Sequence, residues 1–213
     1  MAGNEVLKRR VLRDDVVEHI VSGILNGEFK PGDKVVETRI SRELNVSQGA
    51  VREAIRDLTA RGFVETEPYK GSRVKILSES DLADYLAVRR ELEPLAVSWG
   101  CRMNAIDLKE LHDIVDTMSE GVKRKDINVI RKADLEFHRR MVQFSGNDFL
   151  VRSWEALAND YWIYTIAERL FSENNDFSCH AEDHRRIVEA IESGDLALMR
   201  DRLQNHFVTN ISM

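Results

Sequence analysis

Four polar side chains occupy positions where helical periodicity calls for apolar ones. Over 126–144 the inward stripe reads Ile127, Ile130, Asp134, Phe137, Met141, so one of its members is a carboxylate. A buried carboxylate is costly unless it is paired or bound to a cation. His138 follows four residues on, over the same patch of helix surface. A later stripe reads His184, Ile187, Val188, Ile191, and the last reads Leu196, Met199, Leu203, His206, Phe207. Gly194-Asp195 makes an antiparallel hairpin of the two helices that carry these stripes. At roughly 1.5 Å per residue, both histidines are about 15 Å from that bend, so they sit level. One aspartate and three histidines can therefore converge from three helices.

Taken singly, each histidine is more readily a satisfied core residue than a ligand. Four such residues on inward faces, two of them an i,i+4 pair, reverse that balance. Asp134, His138, His184 and His206 suit a divalent transition metal, zinc first, with nickel, manganese or iron as alternatives. His180, one turn before His184 and nearer a loop, is a competing ligand. His19 and His112 fall off the inner stripes. Arg89 lies four residues past Tyr85 and three before Leu92, on the inner stripe of its own helix. An interior guanidinium wants an anion, and a carboxylate is its bidentate partner. An internal salt bridge, for instance to Glu93, is the plain reading. The functional one is a small organic acid held between Arg89 and an open position on the metal.

A second kind of chemistry stands earlier in the chain. Ser47 is a good N-cap for a helix running to Arg61, because its hydroxyl can accept from the free N–H groups of the first turn. Ala50, Val51, Ala54, Ile55 and Leu58 define an inward face. Gln48, Gly49, Arg52 and Arg56 fall on or beside the opposite one. Arg reads guanine edges, Gln reads adenine edges, and a helix N-terminus suits phosphate. The same pattern alone would fit a solvated amphipathic helix, so the neighbouring elements decide.

Those elements predict a helix over 14–26, then a Pro31-Gly32 turn, then a short helix over 36–44 joined by Asn45-Val46 to the helix at Ser47. Two short helices with a tight turn form a helix-turn-helix, whose second helix enters the groove. Gly62 closes that second helix. Phe63–Thr66 and Arg73–Ile76 have strand composition around a turn at 67–72, which predicts a two-stranded wing. Lys70, Gly71 and Arg73 would there approach phosphate or the minor groove. From Ser78 onward only helices are expected: 79–102, 107–123, 126–144, 148–171, 178–193 and 195–212. Pro94 should kink or divide the first.

The fold class is thus mainly α. A winged helix-turn-helix of three helices and a two-stranded wing (1–77) precedes an all-α six-helix bundle (78–213). Charge agrees with the division. The chain is 213 residues long with net charge −6, but residues 1–77 hold 14 Lys/Arg and 12 Asp/Glu, whereas the rest hold 17 and 25. A basic first module and an acidic second one suggest separate tasks. The excess in the first is small, so DNA affinity would rest on placed arginines rather than on bulk field. Hydrophobic content of 43% is ample for packed cores. Two cysteines fit a reducing cytosol rather than a disulfide framework, and neither a secretory signal nor a membrane-spanning run is seen.

These stretches carry a resemblance. Residues 24–32, 46–55, 58–64 and 69–74 resemble, in order and spacing, the winged helix-turn-helix of the GntR family of bacterial transcription regulators. The resemblance implies that Thr38, Arg39, Ser47, Gln48, Gly49 and Arg52 face DNA, with Lys70 and Gly71 at the wing. Gln48-Gly49 stand where the family often has Arg followed by Thr, and Thr38 where Arg is common. Those departures bear on the operator sequence rather than on DNA binding itself. Residues 88–96, 133–138, 145–147 and 183–195, with His206, resemble the FCD effector domain of the FadR-like branch, in its shorter, VanR-like form of six helices. That resemblance implies Asp134, His138, His184 and His206 as metal ligands and an organic acid as effector, with Arg89 a weaker carry-over.

The expectation is a cytoplasmic, homodimeric, metal-containing transcription regulator, usually a repressor in this family, on a palindromic double-stranded operator. A metal-dependent hydrolase or lyase using the same Asp/His cluster is the alternative. No Gly-rich phosphate loop, nucleophile elbow or general base beside the ligands supports it. A purely structural ion is a third reading.

Overall fold

The computed structural model describes residues 2–157 and 178–209, with side chains over 13–157 and 179–207. The chain divides into two compact units between Leu77 and Ser78.

The first unit holds α1 (Ala2–Leu25), β1 (Lys34–Val35), α2 (Glu37–Glu43), α3 (Gln48–Ala60), β2 (Val64–Glu67) and β3 (Gly71–Val74). Helix α1 starts well before Asp14, where it was expected to begin. Ser47 caps α3 through a hydrogen bond that its Oγ accepts from Ala50 N, at 3.2 Å. The helix ends as the sequence requires: Gly62 takes φ +78°, its N–H reaches Thr59 O, and Phe63 N–H reaches Leu58 O at 2.9 Å. Val51, Ala54, Ile55 and Leu58 are buried together with Ile20, Ile24, Ile40 and Phe63. Each such large apolar side chain contributes about 1.5–3 kcal/mol of transfer free energy.

The wing differs from expectation in register and in number of strands. Val64 pairs with Val74 and Glu67 with Gly71, so the tip is only Pro68-Tyr69-Lys70. Gly71 and Ser72 belong to the second strand rather than to the turn. A third strand, β1, pairs with β3 on its other edge (Lys34 with Arg73, Val35 with Ser72), giving the order β1-β3-β2. Two residues are too few to show alternation, and this strand exists because β3 offers it a free edge.

The second unit holds α4 (Glu79–Arg102), α5 (Leu108–Arg124), α6 (Ile127–Gln143), α7 (Asp148–Leu157), α8 (Ser178–Glu192) and α9 (Leu196–Thr209). The helix expected over 148–171 lies partly outside the described residues. Side-chain caps start the helices. Ser78 and Asp81 form a capping box at α4, and Asp107 and Asp126 cap α5 and α6. Pro94 neither breaks nor divides α4, which runs unbroken through it. The proline removes one backbone bond. The helix is held on either side by buried Glu93, Ala96 and Val97. Leu196, assigned to an inner stripe, is instead 38% exposed. The core centres on Val97, Leu111, Val115, Phe137, Met141, Ile187, Val188 and Leu203, drawn from α4, α5, α6, α8 and α9. Among the described residues no helix is long and apolar enough to cross a membrane.

Candidate metal centre and nucleic-acid interface

The second unit brings together the four side chains read from the sequence. One ligand atom from each of Asp134, His138, His184 and His206 lies within 4.8 Å of every other. Ligands on opposite sides of one ion, at about 2.1 Å each, approach that span. Asp134 and His138 come from α6, His184 from α8 and His206 from α9, because the α8–α9 hairpin folds level as its lengths require. His138 and His184 are 1% and 0% exposed, and His206 is 9%.

Hydrogen bonds fix which nitrogen each ring offers. His138 Nδ1 donates to Glu93 Oε2 at 2.6 Å, and His184 Nδ1 donates to the His180 carbonyl at 2.7 Å. An ionised carboxylate and a carbonyl can only accept, so in the neutral imidazoles the Nε2 atoms carry the lone pairs. These nitrogens gather round a carboxylate oxygen. His184 Nε2 is 3.1 Å from Asp134 Oδ1, and His138 Nε2 is 3.8 Å from it. The His184 contact lies off the ring's N–H direction, and that buried Nε2 makes no hydrogen bond among the described residues. Lone pairs and a carboxylate oxygen crowded into one buried space repel one another unless a cation stands among them, so the donor set fits a divalent metal.

Electrostatics agree. Burial pushes the His184 and His206 imidazoles down, His206 well below its ordinary value, so both are neutral donors near pH 7. Burial alone would raise the Asp134 carboxyl, but the histidines around it, His180 first, hold it well below its usual value. His180 Nε2 stands 3.0 Å from the same Oδ1 and is 17% exposed, so the competing ligand is also at hand. His19 sits against Phe29 in the first unit, and His112 lies near Glu192 in the second, outside the cluster.

Arg89 is buried beside this cage. Its Nε donates to Glu93 Oε1 at 2.6 Å and its Nη1 to the Tyr85 hydroxyl at 3.3 Å. The internal salt bridge to Glu93 is therefore real. It does not exhaust the guanidinium, whose buried Nη2 has no hydrogen-bond partner among the described residues. Burial pushes the Tyr85 hydroxyl up to about 12, so it stays protonated. Sequence reasoning missed Trp154, whose Nε1 donates to Glu93 Oε1 at 2.8 Å. It lies 61 residues from Glu93, and no spacing rule connects them.

In the first unit Thr38, Arg39, Ser47, Gln48, Gly49, Arg52, Lys70 and Gly71 are all exposed. Arg52, on α3, places its Nη2 2.8 Å from Glu37 Oε2 on α2. Arg39 pairs with Glu43 at 2.8 Å and Lys70 with Glu67 at 2.5 Å. These exposed pairs hold little energy and are readily exchanged for phosphate or base edges. Gly71 has φ +85° and open space around its Cα, a conformation that strains any residue with a Cβ. Arg73, half-buried, donates from Nη1 to Gly32 O at 3.1 Å, which ties it to the turn before β1.

A helix-turn-helix with a wing, followed by a helical bundle that holds a buried Asp/His cluster, is the architecture of a DNA-binding regulator with a second, helical domain. The chain belongs to the gntR family of bacterial regulatory proteins: that family's model matches residues 12–74 and the FCD domain model matches residues 84–209. It is 33% identical over 205 residues to the "Probable D-xylose utilization operon transcriptional repressor" of Paenarthrobacter nicotinovorans, covering 96% of this chain and 89% of that one. It is 26% identical over 191 residues to the "Gluconate operon transcriptional repressor" of Bacillus subtilis, covering 86% and 77%. Among solved structures, a proposed transcriptional regulator GntR from Rhodococcus sp. RHA1 superposes with TM-score 0.81 at 20% identity, covering 94% and 95% of the two chains. E. coli McbR/YncC does so with TM-score 0.75 at 20% identity, covering 96% and 95%. The two structures speak for the fold. The family is one of transcription regulators, so the hydrolase or lyase alternative falls away.

Proposed function

We propose that this DNA-binding regulator is a metal-containing repressor that binds a palindromic operator as a homodimer and responds to a small carboxylate. The observation that carries the metal is the buried His184 Nε2, which has no hydrogen bond among the described residues and stands 3.1 Å from Asp134 Oδ1 within a four-residue cage. When bound, the ion supplies a Lewis-acidic seat for an anionic ligand. Asp134, His138, His184 and His206 would hold it, and Arg89 would offer its unpaired Nη2 to the ligand's carboxylate.

Thr38, Arg39, Ser47, Gln48, Gly49 and Arg52 form the reading surface, with Lys70 and Gly71 at the wing. An effector moves DNA affinity only by the difference in its binding to the two states of the protein. Relatives named as gluconate operon repressors suit the carboxylate reading, because gluconate is a hydroxy acid. The relative named for D-xylose supplies a neutral sugar as the contrasting test.

The test is elemental analysis of the purified protein, then operator binding before and after chelation, with gluconate, other small hydroxy acids and D-xylose each added. One equivalent of metal per chain and an acid-dependent change in DNA affinity are expected. DNA affinity indifferent to every acid would reduce the ion to a structural role, and metal-free protein that takes up no zinc would overturn the site.

A further inference from the structure

We infer that Glu93 is the positioning residue of the metal cage: it sets the tautomer and aim of His138 and joins that ligand to Arg89 in one buried unit. The inference rests on reading the Asp/His cluster as a metal site. Glu93 is fully buried, yet its two oxygens accept three hydrogen bonds. Oε2 takes His138 Nδ1 at 2.6 Å, while Oε1 takes Arg89 Nε at 2.6 Å and Trp154 Nε1 at 2.8 Å. Every one of these neighbours is a donor, so only a carboxylate satisfies them all.

With Oε2 holding the Nδ1 proton, His138 turns its Nε2 lone pair toward Asp134 and the other two imidazoles. A carboxylate behind a ligating histidine also raises the basicity of the metal-bound nitrogen. Arg89 neutralises the charge that would otherwise leave Glu93 an isolated buried anion. An amide in place of Glu93 cannot serve. With its NH2 toward His138, it demands an acceptor at Nδ1 and moves the ring proton to Nε2, where it blocks the ion. With its NH2 toward Arg89 and Trp154, it faces two donors.

The test compares zinc affinity by chelator competition, and the visible absorption of the cobalt(II)-loaded protein, in the full chain and three variants: Glu93→Gln, Arg89→Met/Glu93→Gln, and His184→Ala. Glu93→Gln should weaken zinc binding by about 10- to 100-fold, the usual effect of losing such a partner, and alter the cobalt spectrum. The double variant removes both buried charges and restores thermal stability, but zinc affinity stays low because His138 still lacks its carboxylate. Recovery of wild-type affinity and spectrum in the double variant would overturn the inference and leave Glu93 a structural ion-pair partner. So would a folded Glu93→Gln protein with wild-type zinc binding. If the unaltered protein binds zinc no better than His184→Ala does, the cage reading itself fails and the role of Glu93 fails with it.

Discussion

His180 Nε2 stands 3.0 Å from Asp134 Oδ1, as near as His184 Nε2 at 3.1 Å. The two histidines are one helical turn apart on α8, and the His180 carbonyl accepts the His184 Nδ1 proton. Burial separates them: His184 is sealed, while His180 retains 17% exposure. His184→Ala should therefore lower bound metal and melting temperature together, since metal affinity is folding free energy. His180→Ala should leave metal content near that of the parent. Full occupancy in His184→Ala, measured by elemental analysis, would place His180 in the ligand set.

Arg52→Ala should weaken specific operator binding by about one to two orders of magnitude if its guanidinium reads a base edge. Its present partner Glu37 is an exposed acid that DNA can displace. Fluorescence anisotropy on specific and scrambled duplexes checks this. An equal loss on both would assign Arg52 to phosphate, and no loss would remove it from the interface. Across a salt series the parent should show a linear log–log decline in affinity.

Metal-free protein should lose stability as pH falls from 7.5 to 5.5. The folded-state values of His184 and His206 are depressed by burial. An unfolded histidine binds its proton near pH 6.5, so below that the unfolded chain holds protons that the native one refuses. The stability is present above the unfolded value and is lost as pH drops toward the folded one. The depressed Asp134 carboxyl acts in the same direction at lower pH. Thermal melts of chelated protein report this, and a flat or rising melting temperature would mean that the imidazoles are charged in the folded apo state.

Gly100→Ala should destabilise the second unit. A Cβ on Gly100 would lie 3.0 Å from the Phe144 carbonyl oxygen and 3.0 Å from Ile106 Cγ1, where α4 passes the end of α6. Alanine improves helix propensity by about 1 kcal/mol. Overpacking against backbone costs about 1–3 kcal/mol, so a net loss of up to about 2 kcal/mol is expected in urea titrations. A gain would show that the α4–α6 crossing yields freely.

Periodicity and caps were legible where one residue's chemistry sufficed. Ser47, Ser78, Asp107 and Asp126 start helices by bonding their own first turns, and that signal lies wholly within a few residues. The Asp134, His138, His184 and His206 cluster was legible because helix pitch converts spacing into height. Pro94 was expected to kink or divide α4, and it does not divide it, because a local rule met a packed environment that sustains the helix through it. Strand β1 was hidden because its only warrant is an edge supplied by residues near position 72. The bonds of Glu93 were half visible: Arg89 is one turn away, but His138 and Trp154 reach it only through tertiary packing.

Trp154 shares Glu93 Oε1 with Arg89 and is itself fully buried, with the Arg89 guanidinium 5.6 Å from its ring. Indole emission responds to nearby charge and to the strength of its N–H bond. The chain thus carries its own unlabelled optical gauge of the bundle interior. A titration followed at the tryptophan band, with Trp154→Phe giving the background of the other two tryptophans, would register any rearrangement around that carboxylate without a dye or a duplex in the cuvette.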